Sequence, residues 1–491
     1  MTMQFNSYPF IFYFLPVCAI GFYALGRLCQ DERNCGRARS LWLIAFSVIF
    51  YSQAGLTNAG YLALSGIIGY FLQNMILSEK DKHRSGRIYL VIGCIFYSFL
   101  LLWFKYAGLF VGHTLTLPLA VSFYSFQLIS FLADTYKGEI GRVGLIDYLL
   151  YLLYFPRILQ GPIVRYNELR AEFDRLGKVH PDAERILRAL ILFSLGLCKK
   201  VLIADTLGKG VEWGYSNAAT VIWLESVVTV LSYPLQLYFD FSGYCDMGMA
   251  VSRILGIELP VNFDKPYLTT NPADFWRRWH GSLSRFLTTY VYIPLGGSRK
   301  GMLRTCRNAL IIFMISGIWH GSTIGFLIWG FMHGVLYMIY AIIRERFSLK
   351  EKAQDRHLLP LWIRSLPMFL YWTLSMIFFR APSMTAAMQM LRRLFSKPWL
   401  RMNPPMAETY RLNEFWYLLK MLHISDWTYS RYICMWGLLL VCAILMFSGR
   451  TADELSRKVK LTPPVGVAAA LLFVWGVIST GVVSTFVYFN F

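Results

Sequence analysis

Long apolar runs separated by short basic loops recur from one end of the chain to the other. Ile88 to Val111 and Pro464 to Asn490 reach or exceed the roughly 20 apolar residues that cross a bilayer core as helix. About ten or eleven such segments account for most of the sequence. The pattern therefore predicts an all-α, polytopic integral membrane bundle forming one domain over residues 1–491, with no large soluble module.

Placing the basic loops in the cytoplasm orders these segments. Pro9 to Leu28 is the first helix and is expected to stay attached, because no Lys or Arg precedes it and no clear small-residue cleavage site follows. Leu41 to Tyr51 and Tyr61 to Leu77 form a hairpin about the polar SQAGLTNAG. Ile88 to Val111 then leaves and Leu119 to Ala133 returns. Leu187 to Ala204, interrupted by Lys199 and Lys200, pairs with Thr220 to Phe241, and a polar stretch with Asp240, Asp246 and Arg253 follows. The two carboxylates are expected to pair with nearby arginines.

Three segments break the simple pattern. Asp147 to Val164 starts apolar but contains Pro156, Arg157, Gln160, Gly161 and Pro162, which lipid does not tolerate. Irregular backbone at that depth survives only inside protein or beside a watery cavity, so a re-entrant or broken buried segment is predicted. Asp274 to Leu287, DFWRRWHGSLSRFL, repeats Phe275, Trp276, Trp279, Leu283 and Phe286 at helical spacing opposite Arg277, Arg278 and Arg285. On periodicity alone it reads as a surface helix anchored in the headgroup zone. Asn308 to Ile343 has basic loops on both flanks and must enter and return on one side. Twelve steps of helix from Asn308 to His320 rise roughly 18 Å, short of a core about 30 Å thick. His320 is thus expected inside the membrane, with His333 about 15 Å nearer the cytoplasm on the returning helix.

Composition agrees. Apolar residues make up 56% and charged residues 15%, far from a soluble protein's balance. The formal charge of +20 resides in short loops, which fits membrane topology and gives no continuous face for nucleic acid. Nine cysteines are dispersed without a CxxC pair, so neither a disulfide framework nor a metal site is indicated. No G-x-S-x-G elbow, Walker A loop, HExxH or Gly-rich dinucleotide turn occurs.

A histidine at membrane depth must face a polar cavity or a partner. For His320, beside glycines in IWHGSTIG, a functional role is the stronger reading; for His333, a hydrogen bond bridging helices is. A neutral imidazole suits removal of a proton from a hydroxyl. Direct transfer of an activated acyl group to an alcohol needs little besides such a base and an oxyanion donor. Broken helices and buried histidines are equally expected of a transporter or flippase, but no internal repeat relates the two halves.

Six blocks carry a family resemblance. LPLAVSFYSFQLISFLADTYKGEI (Leu117 to Ile140), FPRILQGPIVRYNEL (Phe155 to Leu169), GLCKKVLIAD (Gly196 to Asp205), the run Tyr233 to Tyr267, DFWRRWHGSLSRFLTTYVYIPLGGSRKG (Asp274 to Gly301) and GIWHGSTIGFLIWGFMHG (Gly317 to Gly334) resemble the membrane-bound O-acyltransferases. Within that family the likeness is to the branch of bacterial alginate O-acetyltransferases. It is strong over residues 40 to 345, with core blocks at 117–345, and rests on hydropathy beyond. The resemblance implies re-entrant helices around a central tunnel, His320 as the general base, and His280 as the second site residue. It implies no metal and no tightly bound cofactor, with acetyl-CoA or another acyl thioester as donor. The acceptor would be a hydroxyl of an exported polysaccharide such as alginate or cellulose, reached directly or through a periplasmic partner at the bacterial inner membrane. Peptidoglycan O-acetylation and D-alanyl transfer to teichoic acid are the alternatives. Arg157 and Gln160 fit the G-P-I block without an assigned role, and the oxyanion donor is either the His280 ring or backbone N–H groups near Gly321.

Overall fold

The computed structural model describes residues 3–108, 117–159, 161–347, 359–398, 400–424, 427 and 429–481. Its regular structure is helical, with no strand among the described residues. A π-turn, Phe10–Phe14, leads into α1 (Leu15–Leu28), then α2 (Glu32–Ser52), α3 (Leu56–Asp81), α4 (Arg87–Tyr106), α5 (Val121–Lys137), α6 (Leu145–Leu153), α7 (Phe155–Ile158), α8 (Tyr166–Phe173) and α9 (Ala183–Cys198). A second π-turn, Lys199–Ala204, joins α9 to α10 (Asp205–Ser216), followed by α11 (Trp223–Ile254), α12 (Pro272–Arg278) and α13 (Gly281–Leu287). After these come α14 (Met302–His320), α15 (Ile324–Arg346), α16 (Leu361–Arg380), α17 (Met384–Leu394), α18 (Pro404–Thr409), α19 (Asn413–Met421), α20 (Ser430–Phe447), α21 (Ala452–Lys458) and α22 (Pro463–Ile478).

Among the described residues, six stretches are long and apolar enough to cross a bilayer: Phe10–Leu28, α3, α4, α15, α16 and α20, with α22 a shorter apolar helix. The protein is a multi-pass helical membrane protein. Other helices of the bundle carry charge within them. α2 opens with Arg33, Arg37 and Arg39, and α14 with Arg304 and Arg307.

Several boundaries move for the same reason. The hairpin around SQAGLTNAG is there, but its arms run to 21 and 26 residues. They turn at Gly55, whose φ of +99° needs glycine. α11 continues unbroken for 32 residues through Asp240, Asp246 and Arg253, where a polar connection was expected. These groups remain in helix because Asp240 and Arg253 are buried and paired, Asp240 with Lys200 and Arg253 with Glu258 at 3.1 Å. Leu109 to Val111, Gln160, and the Pro464 to Asn490 run beyond Gly481 lie outside the described residues.

The chain divides into two compact units, Met1–Leu195 with Tyr244–Val261 and Lys460–Ala470, and Gly196–Gly243 with Asn262–Val459 and Leu471–Phe491. In the first, Arg39 is buried and donates to the carbonyls of Phe22 (3.0 Å) and Leu176 (2.6 Å). Tyr97 and Tyr148 donate to the Ser65 and Gly66 carbonyls of α3 at 2.8 and 2.6 Å. The segment expected to be broken is so: α6 ends at Leu153, α7 makes one turn, and the backbone then runs without helix to α8. Arg157 there is 4% exposed, donates to the Tyr151 carbonyl and lies 4.8 Å from that tyrosine's ring. Its guanidinium fills the place that a broken helix leaves and satisfies the Tyr151 carbonyl.

Candidate active site

The second unit holds both predicted histidines. Its centre is the α14/α15 hairpin, where glycines let two backbones touch. A Cβ added at Gly317 would lie 2.5 Å from the Phe326 carbonyl oxygen, and one at Gly330 would lie 2.5 Å from that of Phe313. His320 is the last residue of α14, and Gly321 caps it in extended backbone. Any side chain at 321 would strike the Phe326 ring, 2.2 Å from the Cβ position. α14 starts at Met302, six residues before Asn308, so the helix rises roughly 27 Å to His320, close to the core thickness of about 30 Å, and the shortfall that was to stop His320 inside the membrane is not there. The helix starts early because Gly301, at φ +91°, opens it and the flanking arginines reach out along exposed flanks.

The His320 ring is 5% exposed and packs among Trp319, Trp329 and Phe379, with centroids 4.8, 5.1 and 5.0 Å away. Fixed edge-to-face contacts of this kind hold a ring in one orientation.

His280 is also buried, at 1% exposure. The segment Asp274 to Leu287 is two short helices, α12 and α13, meeting at Trp279 and His280. It is not a continuous interfacial anchor. Phe275, Trp279, Leu283 and Phe286 are buried in protein, and periodicity alone does not tell a protein-facing stripe from a lipid-facing one. His280 sits at the junction with φ +46° and ψ +51°, a left-handed conformation that a non-glycine residue adopts only under constraint. Asn262 supplies it: its carbonyl accepts from the Gly281 N–H at 2.9 Å, and its Oδ1 accepts from the Ser282 N–H at 3.1 Å and faces His280 Nδ1 at 3.3 Å.

An oxygen already accepting from a backbone N–H meets Nδ1 as an acceptor, which assigns the proton to Nδ1 and the lone pair to Nε2. Burial pushes the His280 pKa down to about 3, so the ring is neutral near pH 7. A neutral ring with Nδ1–H committed accepts a proton or hydrogen bond at Nε2; it does not donate to an oxyanion. Phe241 meets the His280 ring edge-on at 4.8 Å, and Trp319 stands 6.2 Å off, so the two histidines flank one tryptophan.

His333 is fully buried and bridges helices. Ser375 donates its hydroxyl proton to the Trp372 carbonyl (2.7 Å), so at 3.0 Å His333 Nε2 is the donor to Ser375 Oγ. Trp276, Trp329 and Trp372 surround it at 5.1, 5.0 and 5.4 Å.

A cavity of about 500 Å³ opens at the basic end of the hairpin, lined among others by Tyr292, Thr305, Tyr337, Tyr340, Arg344 and Glu345. Arg344 has no carboxylate partner among the described residues. From Thr305 to His320 the helix rises roughly 22 Å. Neither histidine lines this cavity. Among the described residues no three His, Cys, Asp or Glu side chains are grouped to hold a metal ion.

Asn262, Trp329 and Trp372 are not marked by any pattern in the sequence; Asn262 is a lone amide after an apolar stretch, at the start of NFDKPY. The left-handed backbone yields a prediction: His280→Asn, which tolerates φ > 0, is expected to keep normal abundance while turnover falls about tenfold. His280→Val adds strain of roughly 1–3 kcal/mol and is expected to lower abundance as well. Immunoblots and ester yield per molecule separate the two; equal abundance for both variants would contradict the constraint.

The structure is that of a multi-pass helical membrane protein with two buried, ring-packed histidines, His280 and His320, on either side of Trp319. Residues 99–380 match the model of the membrane-bound O-acyltransferase family, MBOAT, and the chain belongs to that family. It is therefore an acyltransferase. It is 33% identical to the peptidoglycan O-acetyltransferase of Helicobacter pylori over 431 residues, covering 80% of this chain and 79% of that one. It is 33% identical over 416 residues to the probable alginate O-acetylase AlgI of Pseudomonas aeruginosa, covering 80% and 75%. The teichoic acid D-alanyltransferase of Bacillus subtilis is more distant, at 27% over 293 residues, 56% of this chain and 73% of that one.

Proposed function

We propose that this acyltransferase moves an acetyl group from a cytoplasmic thioester, acetyl-CoA, to hydroxyls of an exported or cell-surface polysaccharide such as alginate or cellulose. Transfer runs directly or through a periplasmic partner, at the bacterial inner membrane. The observation that carries the reading is the His320 ring, fixed among Trp319, Trp329 and Phe379 at the tip of the glycine-packed hairpin. In a tunnel reaching that ring from both sides, His320 takes the acceptor's hydroxyl proton as its oxygen attacks the thioester carbonyl. The carbon–oxygen bond forms, the carbon–sulfur bond breaks, and the imidazolium returns its proton to the departing thiolate. Nε2 of His280 accepts a hydrogen bond from a hydroxyl, and backbone N–H groups after Gly321 face the oxyanion.

The cavity at Tyr337, Tyr340 and Arg344 suits the phosphate-bearing end of the donor. A pantetheine arm is about as long as five extended residues, roughly 17 Å, comparable to the rise from Thr305 to His320. Arg344→Gln is expected to raise KM for acetyl-CoA about tenfold, the loss of one charge-assisted hydrogen bond, with kcat unchanged. A short acetyl thioester without phosphates should show no such change. An unaltered KM would detach the cavity from the donor.

Peptidoglycan is the second acceptor reading, favoured by the 33% identity over 80% of this chain to the H. pylori peptidoglycan O-acetyltransferase. Mass spectrometry of exported polysaccharide and of muropeptides from a deletion strain separates the two. Loss of O-acetyl from the polysaccharide supports the first reading, loss from muropeptides alone transfers it to peptidoglycan, and loss of D-alanyl ester overturns both.

A further inference from the structure

The block GLCKKVLIAD places two lysines in an apolar run, and the acyl-transfer mechanism above uses neither. The structure buries one of them completely. Lys200 is 1% exposed, with Nζ 2.7 Å from Asp240 Oδ1 and 2.8 Å from Asp205 Oδ1. Asp240 is itself fully buried. The π-turn makes this triad possible. In α-helix, residues five apart point about 140° away from each other. Here the Asp205 N–H bonds back to the Lys200 carbonyl, five residues earlier, which winds five residues into nearly one turn and brings Asp205 to Lys200's side.

The triad fastens the π-turn to α11. At that contact the backbones nearly touch: a Cβ on Gly243 would lie 2.8 Å from the Gly196 carbonyl oxygen and 3.3 Å from the Lys200 nitrogen. Lys199 lies alongside, its Nζ 3.5 Å from Ser242 Oγ. Phe241, adjacent to the clamped Asp240, is fully buried, and its ring meets the His280 imidazole at 4.8 Å and Phe263 at 4.9 Å. One face of this turn of α11 is therefore held by a buried ion triad, and the next residue around it supports the histidine. Replacing an ion triad with apolar side chains of similar volume is seldom costly to stability, so stability alone does not account for placing one here.

We propose that Lys200 is a positioning residue for acyl transfer: by clamping Asp240 and Asp205 it sets Phe241, and through Phe241 the orientation of the His280 ring. The inference rests on the reading of His280 as a member of the reaction centre. It assigns Lys200 no contact with substrate.

The test is a double-mutant cycle on the full-length chain in inverted membrane vesicles, reading acetyl transfer from labelled acetyl-CoA per molecule of protein. Lys200→Met and Phe241→Leu are each expected to lower kcat about tenfold while KM for acetyl-CoA stays within twofold. Because both act through one ring, the double variant should also fall about tenfold, not a hundredfold. Lys200→Met/Asp240→Leu, which removes the two fully buried charges, keeps the volume and leaves only the partly exposed Asp205, guards against misfolding of the single variant and is expected to be abundant yet equally slow. A fully active Lys200→Met, a hundredfold fall in the double variant, or a fully active Phe241→Leu overturns the proposal. So does loss of every triad variant from the membrane while Phe241→Leu keeps full activity, since the triad would then be only structural. Wild-type vesicles that transfer nothing would count against the donor assignment instead, and ester content of complemented cells then carries the same comparison.

Discussion

His320→Ala is expected to abolish ester formation, by at least about a hundredfold, in a protein that still inserts and accumulates normally. The magnitude follows from the role: a positioned general base contributes roughly 10² to 10⁴ in rate. The unaltered abundance follows from the packing. Ala at 320 keeps the helix end and its glycine cap and removes only a ring that sits between Trp319, Trp329 and Phe379. His333→Ala provides the contrast, because its loss opens a bridge between α15 and α16 at Ser375 and should be felt first in stability. Ester yield per molecule, measured beside detergent melting curves, checks both halves. Wild-type acylation by His320→Ala would remove the base from the mechanism.

The second large effect lies three residues before that histidine. Gly317→Val is expected to cut turnover at least about a hundredfold, because a Cβ there falls 2.5 Å from the backbone oxygen of Phe326. Backbone cannot rotate away as a side chain can, so α14 and α15 must separate. A shift of about 1 Å at the reacting groups costs on the order of a hundredfold. Gly437→Val in α20 is the matched control, since nothing lies within 4 Å of its added Cβ, and it should retain wild-type turnover. Size-exclusion profiles and turnover of both variants decide the matter; a Gly317→Val enzyme at normal rate would mean that the tight seam does not place His320.

What the sequence disclosed and what it hid divide along physical lines. The broken segment was legible because Pro156, Pro162 and Gly161 cannot sit in regular lipid-facing helix. The His320 hairpin was legible because basic flanks and two glycines bracket an apolar run. The α11 continuation was hidden, because Asp240 and Arg253 look like loop until their partners Lys200 and Glu258 are known. The same blindness made DFWRRWHGSLSRFL a surface helix: Trp279 and Phe286 pack on protein, and spacing carries no label for what the stripe touches. His280's left-handed backbone was hidden for a different reason. Nothing local demands it; Asn262, eighteen residues upstream, imposes it.

The glycine seam also limits how this chain can vary in length. Because α14 and α15 interlock through backbone at Gly317 and Gly330, inserting one residue between Met302 and Gly317 cannot be absorbed by side chains. It would either push the surplus into the loop before Met302 or turn the imidazole by about 100° and advance it about 1.5 Å. Single-codon insertions should therefore be tolerated ahead of Gly301 and rejected along the fourteen positions after Met302, a sharp boundary that insertional scanning can map.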